Sequence, residues 1–261
     1  MIARVLIVAG SDSGGGAGVQ ADIKTVTMLG GYAATAITAI TVQNTLGVSA
    51  VELLAPELVA AQMRAVIDDI GADIIKLGML GDAAIIAAVA DVCAAARLPV
   101  VLDPVMVAKG GAALLADDAV TALLTRLVPL AAVVTPNTPE LAALTGAPIE
   151  DEADVVLAAQ ELLGAGAGAV LAKGAHLDGD EIADWLVTAS LQRRFADRRI
   201  DTRHTHGTGC TLASALAVSL AQGLSLIEAT ARARGFVQDA IRAAPGLGGG
   251  HGPLGFNHAL L

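Results

Sequence analysis

The 261-residue sequence predicts an α/β protein with a largely parallel central sheet that is covered by helices on both faces. Two observations predict this class. Short runs rich in β-branched residues alternate with longer alanine-rich segments, which is the pattern of repeated strand–helix–strand units. The first of these runs, Val5-Leu-Ile-Val-Ala9, has no polar residue, as is typical of a strand buried on both faces. Because no internal repeat or linker interrupts the pattern, we expect a single domain over residues 1–261.

The elements can be assigned in order from these patterns and from the residues that bound them. Gly30 and Gly31 stop the first helix, and Pro56 begins the second, where a proline loses no needed donor. We expect the glycine-rich segment 246–255 to be a surface loop. The predicted strands are 5–9, 34–41, 49–53, 73–77, 99–102, 131–135, 169–172, 184–188 and 193–200, the last two forming a hairpin. The predicted helices are 17–29, 56–70, 82–96, 117–127, 139–144, 151–163, 210–222 and 225–243.

Composition and charge exclude several classes of protein. Hydrophobic residues make up 54% of the chain and charged residues only 16%, which excludes a disordered chain. The uncharged stretches 25–51 and 207–227 are interrupted by glycines and polar residues, so we expect no membrane segment. A net charge of −10 and 2% aromatic residues argue against nucleic-acid binding. Cys93 and Cys210 form no CxxC pair, which indicates a reducing, cytoplasmic setting.

A glycine-rich loop, Gly-Ser-Asp-Ser-Gly-Gly-Gly-Ala-Gly, follows the first predicted strand at residues 10–18. It fits neither common nucleotide motif. Val19 stands where a dinucleotide fingerprint has its third glycine, and Ile23 precedes Lys24 where a Walker loop has glycine. We expect the exposed backbone of this loop to let a ligand approach a helix N-terminus. Asp12 is expected to accept a hydrogen bond from a substrate hydroxyl or amine; the alternative is that it caps the turn.

The segment His-Thr-His-Gly-Thr-Gly-Cys-Thr at 204–211 leads into an apolar helix. Backbone N–H groups at a helix start carry the positive end of the helix dipole, and Gly207, Thr208 and Gly209 would let a phosphoryl group approach them. Cys210 lies at the same helix end, where a thiolate is favoured. We therefore expect its pKa to be lowered and regard it as a candidate base; the alternative is a small buried hydrophobe.

Metal binding by His204 and His206 is a second interpretation of this segment, because two histidines spaced by one residue on a strand share a face. The other histidines, His176, His251 and His258, are scattered along the chain, and no cysteine pair supports them. The anion-binding interpretation is therefore preferred over zinc.

Seven motifs occur in order along the chain: GSDSGGGAGVQADIK (10–24), VQNTLGV (42–48), KLGML (76–80), LDPVMVAK (102–109), TPNTPE (135–140), KGAH (173–176) and HTHGTGCT (204–211). Together they resemble the hydroxymethylpyrimidine/phosphomethylpyrimidine kinases of thiamine biosynthesis. The resemblance runs from about residue 5 to residue 255, nearly the whole chain. It implies a ribokinase-like three-layer sandwich, ATP as co-substrate, Mg²⁺ as cofactor, a homodimer, and two successive phosphorylations of one pyrimidine.

The resemblance also assigns roles to residues that follow the later strands. Asn137 and Glu140 match an Asn-x-x-Glu pair that helps hold Mg²⁺ and ATP phosphates; taken alone, they would indicate only a helix start. Lys173 is expected to neutralise phosphate charge, the alternative being an exposed lysine at a strand end. Asp103 is expected to hold Mg²⁺ through water or to orient Lys109.

The pyrimidine is expected near the first strands. Gln43 matches the family's pyrimidine-reading glutamine, whose amide both donates and accepts hydrogen bonds; the alternative is a solvent-facing strand end. Met79 would pack on the ring, or simply fill the core, and Gly10 would border the same site. Ribokinase-like sugar kinases have an aspartate in place of Cys210. Because the second nucleophile is already a phosphate anion, we expect loss of Cys210 to impair the first phosphorylation more.

Two other functions are compatible with the sequence. A pyridoxal kinase of the same superfamily would share several of these motifs, and a substrate panel would distinguish it. A non-catalytic pyrimidine-binding regulator would need no phosphate-binding machinery, and the intact Asn137, Glu140, Lys173 and 207–210 argue against it.

Overall fold

The computed structural model describes residues 1–106, 117–175 and 179–258. Its strands are β1 Arg4–Asp12, β2 Tyr32–Asn44, β3 Gly47–Leu53, β4 Ile74–Leu77, β5 Val100–Leu102, β6 Val133–Val134, β7 Val170–Ala172, β8 Glu181–Val187 and β9 Gln192–Arg198. They form one sheet in the order β3-β2-β1-β4-β5-β6-β7-β8-β9. The six strands from β2 through β7 in that order pair in parallel, whereas β3, β8 and β9 are antiparallel to their neighbours.

The helices are α1 Gly18–Met28, α2 Pro56–Ala65, α3 Ala83–Ala96, α4 Asp117–Ala122, α5 Thr138–Thr145, α6 Glu152–Gly164, α7 Thr208–Ala221 and α8 Leu226–Arg242. Helices α2 and α4 continue into π-helical turns at Val66–Ile70 and Leu123–Leu127. None of the helices in the described ranges is both long and apolar enough to cross a membrane.

The helices cover both faces of the sheet and enclose two apolar cores. Side chains of β1 alternate between these cores, as the pleat of a strand requires. Leu6 and Val8 face the core under α2 to α6, whereas Val5 and Ile7 face the core under α1, α7 and α8. The predicted three-layer α/β architecture is therefore confirmed, with β1 buried on both sides.

Every predicted strand and helix is present, but several boundaries differ. The first two strands are longer than expected and end at Asp12 and Asn44. The last predicted strand ended at residue 200, and the zinc interpretation placed His204 and His206 on a strand. Instead β9 ends at Arg198, the last residue paired with β8, and α7 begins at Thr208. His204 and His206 lie in the irregular segment between them, so they do not share a strand face.

The segment 246–255 is a surface loop only in its first part. Residues 245–249 are exposed, but Gly252 and Leu254 are buried. The His206 N–H donates to the Gly252 carbonyl over 3.1 Å. The second half of the loop therefore packs against the segment that leads into α7, and the expectation of a wholly exposed loop was wrong.

Candidate active site

A cavity of about 690 Å³ lies at the carboxyl ends of the parallel strands, where open α/β sheets bind ligands. The loops after β1, β4, β5, β6 and β7 line it, together with the first turn of α7. The fold thus brings together side chains and amides from widely separated parts of the chain. All the predicted site residues line this cavity: Gly10, Asp12, Gln43, Met79, Asp103, Asn137, Glu140, Lys173, Gly207, Thr208, Gly209 and Cys210.

The first turn of α7 presents backbone donors to this cavity, because the first N–H groups of a helix have no carbonyl partner within it. Gly207 precedes the helix with a φ of +84°, a conformation that favours glycine. A Cβ at this position would also collide with the Gly16 carbonyl oxygen. Gly207 therefore lets the two glycine-containing loops touch, and the adjoining Gly209 and Cys210 form the cavity wall.

Lys173 lies between two carboxylates beside this wall. Its Nζ donates to Asp103 Oδ1 over 2.9 Å and lies 3.7 Å from Glu140 Oε2. Burial opposes the ammonium charge, but the two carboxylates outweigh burial and raise the pKa of Lys173. A Cβ on Gly209 would lie only 3.2 Å from Lys173 Nζ. Lys173 is therefore a largely buried cation held against the start of α7, not an exposed lysine at a strand end.

Asn137 and Glu140 form a capping box at the start of α5. Asn137 Oδ1 accepts from the Glu140 N–H over 2.9 Å, and Glu140 Oε2 accepts from the Asn137 N–H over 2.8 Å. Burial raises the pKa of Glu140 to about 7, although the charge of Lys173 opposes the rise. The helix start considered as an alternative is therefore present, and it also orients the Glu140 carboxylate beside Lys173.

The expectation of a lowered Cys210 pKa was wrong. Burial raises the pKa of this thiol to about 12, and the charge of Lys76 offsets only part of the rise. The carboxylates of Asp22 and Asp103 add to the increase, whereas a hydrogen bond from the Gly18 N–H opposes it. Lost hydration of the thiolate therefore outweighs the favourable helix end. The Cys210 thiol is neutral near pH 7.

Asp12 caps the glycine-rich loop rather than offering a free carboxylate. It accepts from the N–H groups of Gly14, Gly16 and Ala17 at 2.7, 3.0 and 2.8 Å. Its Oδ2 also lies 3.0 Å from His206 Nε2. Burial would raise the pKa of Asp12, but these hydrogen bonds lower it. Three of these contacts fall on Oδ2 and one on Oδ1, so the capping alternative is present. A contact between Oδ1 and a substrate hydroxyl or amine stays a prediction.

His206 is a site residue that the sequence indicated only as a metal ligand. Its Nε2 lies 3.0 Å from Asp12 Oδ2 and 3.2 Å from Gln43 Nε2. Thr41 Oγ1 donates to the Gln43 Oε1 over 3.2 Å from the other side. The Gln43 amide is therefore held at the cavity wall and is not a solvent-facing strand end. The sequence feature that pointed to a site role for His206 was its position directly before Gly-Thr-Gly.

Met79 and Gly10 pack together where β1 and β4 meet the cavity. Met79 is 7% exposed, and its Sδ would lie 3.0 Å from a Cβ on Gly10. Thr38 Oγ1 fixes the adjoining backbone by donating to the Met79 carbonyl over 2.6 Å. The missing side chain of Gly10 therefore makes room for the Met79 thioether on the cavity wall.

A buried ion pair behind the start of α7 was missed by the sequence analysis. Lys76 Nζ donates to Asp22 Oδ2 over 2.8 Å, and Ser214 Oγ donates to Asp22 Oδ1 over 2.7 Å. All three residues are 0% exposed. Ser214 lies one helical turn after Cys210, and Asp22 lies one turn after Gly18. The pair therefore ties the first turns of α7 and α1 to β4.

Lys109 and His176 lie outside the described residues. Within the ranges the structure describes, no group of three or more His, Cys, Asp or Glu side chains is placed to hold a metal ion. Asp103 and Glu140 supply carboxylate oxygens on either side of Lys173. A cation at this point would need further ligands from a bound molecule or water, as Mg²⁺ commonly has.

A second cavity, of about 730 Å³, adjoins the first, and Lys173, Thr208 and Gly209 line both. Strands β8 and β9 and helix α8 form its other walls. The start of α7 and the largely buried Lys173 therefore lie where two ligand-sized cavities meet. Such a site at the carboxyl edge of this sheet defines a ribokinase-like small-molecule kinase.

Within this class, the chain belongs to the phosphomethylpyrimidine kinase family, whose model matches residues 12–255. It is 49% identical to a hydroxymethylpyrimidine/phosphomethylpyrimidine kinase of Rhizobium meliloti, over 99% of this chain and 98% of that protein. It is 52% identical to the thiamine biosynthesis bifunctional protein of Geobacter sulfurreducens, over 98% of this chain. The chain spans about half the length of that bifunctional protein, 52%.

Solved structures agree on the fold. An ADP complex of Bacillus subtilis pyridoxal kinase superposes with a TM-score of 0.92 at 34% identity, covering 100% of both chains. A phosphomethylpyrimidine kinase of Clostridium difficile superposes with a TM-score of 0.82 at 38% identity, covering 92% of this chain and 99% of that one. The chain is therefore a kinase of this family, with a ribokinase-like fold.

Proposed function

We propose that the chain uses ATP to phosphorylate 4-amino-5-hydroxymethyl-2-methylpyrimidine to its monophosphate and then to its diphosphate, a sequence that serves thiamine biosynthesis. One observation carries the proposal: the α7 N-terminus and Lys173 lie between a cavity lined by Gln43 and Met79 and a second cavity of similar size. Relatives with 42% to 49% identity are named hydroxymethylpyrimidine/phosphomethylpyrimidine kinases.

The pyrimidine side of the site matches a small ring with polar edges. The Gln43 amide offers both a donor and an acceptor for an aminopyrimidine edge, and the Thr41 hydroxyl fixes its oxygen. Met79 offers an adaptable thioether for the ring face. With aromatic residues only 2% of the chain, the ring is held by Met79 and amide groups in place of aromatic stacking.

ATP is proposed to bind in the second cavity, with its phosphates directed toward α7. The solved ADP complex of the similar pyridoxal kinase supports nucleotide binding by this fold. The N–H groups of Gly209 and Cys210 would receive phosphoryl oxygens, since helix N-termini bind anions. Lys173 would add a positive charge on the same side. An acidic protein of net charge −10 thus presents a lysine and a helix N-terminus to the anionic phosphates at this point.

The residues present fit a Mg²⁺ ion that arrives with ATP. Asp103 and Glu140 provide two carboxylates within reach of the phosphate-binding wall, and Mg²⁺ sites commonly use one or two carboxylates together with phosphates and water. When bound, the ion would neutralise charge on the phosphate oxygens. Glu140, with a pKa raised to about 7, would ionise fully in its presence.

Transfer to the pyrimidine depends on positioning and charge more than on a strong base. Phosphoryl transfer passes through a loose transition state in most analyses, so the hydroxyl proton need not leave early. Cys210 is the titratable side chain of the α7 turn and is proposed to accept that proton in the first step. Because its pKa is raised to about 12, the Cys210 thiol must first lose its own proton to solvent before its sulfur can accept the hydroxyl proton. The second nucleophile is a phosphate and needs no such acceptor.

A substrate panel tests the proposal against the pyridoxal kinase alternative, which the high TM-score of the Bacillus subtilis enzyme keeps relevant. Hydroxymethylpyrimidine, its monophosphate and pyridoxal are each supplied with ATP and Mg²⁺, and ADP release is followed. We expect turnover of both pyrimidines with a higher kcat/KM than for pyridoxal. Failure to turn over the monophosphate would contradict the proposal.

We also propose that the chain is one kinase domain that forms a homodimer in the cytoplasm. A single sheet of nine strands runs through the described residues. Its edge at β2 and β3 exposes a group of large apolar side chains, which suits burial against a second copy. Both cysteines are free thiols, as a reducing compartment favours. Light scattering would test the dimer. The large apolar side chains exposed at the β2 and β3 edge are Ile40, Val42, Leu46, Val51 and Leu53.

A further inference from the structure

A second buried charge cluster lies on the wall of the cavity proposed for ATP. Arg234 on α8 is 7% exposed and forms ion pairs with Asp184 on β8 and with Asp197 on β9. The Asp197 contact measures 2.6 Å. Asp184 is 6% exposed, whereas 40% of the Asp197 side chain is accessible. One guanidinium donates to both carboxylates and leaves the cluster with one excess negative charge, and the partly accessible Asp197 keeps contact with water.

One carboxylate of this cluster reaches the backbone of the proposed ATP site. Asp184 Oδ1 accepts from the Gly174 N–H over 3.0 Å. Gly174 directly follows Lys173, whose own N–H donates to the Pro136 carbonyl over 2.8 Å. A Cβ at Gly174 would collide with the Ala183 carbonyl oxygen, so the turn is pressed against β8. The backbone of Lys173 is thus held on one side by the β6 loop and on the other by Asp184.

We infer that Asp184 and Arg234 are positioning residues for Lys173, because Arg234 fixes the Asp184 carboxylate and Asp184 fixes the turn that carries the lysine. The inference rests on the proposed role of Lys173 toward ATP. Neither residue needs to touch the transferred phosphoryl group. The pair holds the Lys173 backbone so that its ammonium stays beside Asp103 and the start of α7.

The chain supplies a matched comparison, because both aspartates contact Arg234 but only Asp184 is bonded to the Gly174 N–H. Asp184→Ala should leave that N–H unpaired and loosen the turn. Asp197→Ala removes a similar charge from the more accessible side and leaves the turn bonded. If the cluster served only stability, folded D184A and D197A would have similar kinetic constants.

The experiment compares D184A, D197A and R234M with wild type, with R242M as a control on the same helix, since Arg242 pairs only on the exposed surface with Asp239. We expect the KM for ATP to rise about tenfold in D184A and R234M and less than about threefold in D197A and R242M. The KM for the pyrimidine should stay within about twofold in all four. Should D184A fail to fold, D184N keeps the volume and weakens the acceptor.

Two further measurements separate this inference from the proposed function. ADP binding, measured by calorimetry without any pyrimidine, should weaken more in D184A than in D197A, whose carboxylate also lines this cavity, and should not change in R242M. Hydrogen exchange of the peptide that contains Gly174 should speed up in D184A and R234M only. Equal effects of D184A and D197A on ADP binding, or unchanged exchange at Gly174, would overturn the inference. A wild-type chain that binds ADP yet phosphorylates no pyrimidine would contradict the proposed function alone.

Discussion

The Lys76 ammonium donates to the Asp22 carboxylate over 2.8 Å, and both side chains are completely buried. Burial alone would make both charges unfavourable, yet the charge of Asp22 keeps the pKa of Lys76 raised. Burial raises the pKa of Asp22, although Lys76 and Ser214 oppose the rise. The 2.8 Å contact therefore stabilises the Lys76 ammonium directly behind the first turns of α1 and α7.

Lys76→Met should destabilise the chain strongly, because it leaves Asp22 buried without a counter-charge. Breaking a buried pair in this way costs about 3–5 kcal/mol. Urea unfolding at pH 7 measures the effect. The double variant K76M/D22N removes both charges and should recover most of the loss. Arg126→Met breaks the exposed pair with Asp91 and should cost less than about 1 kcal/mol. Equal losses for K76M and R126M would contradict this account.

Cys210→Ala should separate the two phosphorylations. Loss of a proton acceptor should lower the rate of the first step by about 10²-fold. The second step, with a phosphate nucleophile, should fall less than about tenfold. Single-turnover rates measured separately on each substrate give the comparison, and Cys93→Ala, which alters a buried thiol in α3, serves as control. Equal losses in both steps would rule out a proton-accepting role for Cys210.

Glu140 should make ATP binding depend on pH. Its carboxyl has a pKa of about 7, so Mg²⁺-ATP should bind more tightly as pH rises from 6 to 8. The effect of Glu140 on the stability of the fold has the opposite sign. Its pKa is about 4.5 in the unfolded chain and about 7 in the folded one, so its contribution to stability is greatest below pH 4.5 and is lost as pH rises through 7. Glu140→Gln can keep the capping box and should flatten the first dependence. An unchanged pH profile in E140Q would contradict the assignment.

Gln43 should determine affinity for the pyrimidine and not for ATP. Gln43→Leu removes the donor and the acceptor that face the ring and should raise the pyrimidine KM by about 10- to 100-fold. The KM for ATP should change little. Gln192→Leu, on the exposed edge strand β9, provides the matched control. An equal rise in the KM for the pyrimidine and the KM for ATP would show that Gln43 does not act through pyrimidine binding.

Local patterns in the sequence predicted the elements and the loops of the site well. Glycine clusters interrupt an otherwise apolar pattern, and parallel strands direct their carboxyl ends to one edge, so residues after several strands had to meet there. The loop at 10–18 and the start of α7 were identified in this way. The structure adds that Gly207 and Gly16 bring these two loops into direct contact.

Ion pairs between residues far apart in the chain could not be predicted from the sequence. The Lys76–Asp22 pair spans 54 residues and the Arg234–Asp184 pair spans 50, and neither leaves a local pattern. The error on Cys210 has the same origin. Its place at a helix start was visible in the sequence, but the burial that raises its pKa depends on the packing of α1 and the surrounding charges.

The central claim is that one site adds two phosphoryl groups to the same pyrimidine. Phosphorus-31 NMR of hydroxymethylpyrimidine incubated with the enzyme, Mg²⁺ and excess ATP tests it most directly. We expect a monophosphate signal that appears first and is then replaced by two coupled signals of a diphosphate ester. A reaction that stops at the monophosphate, or that proceeds only with pyridoxal, would contradict it.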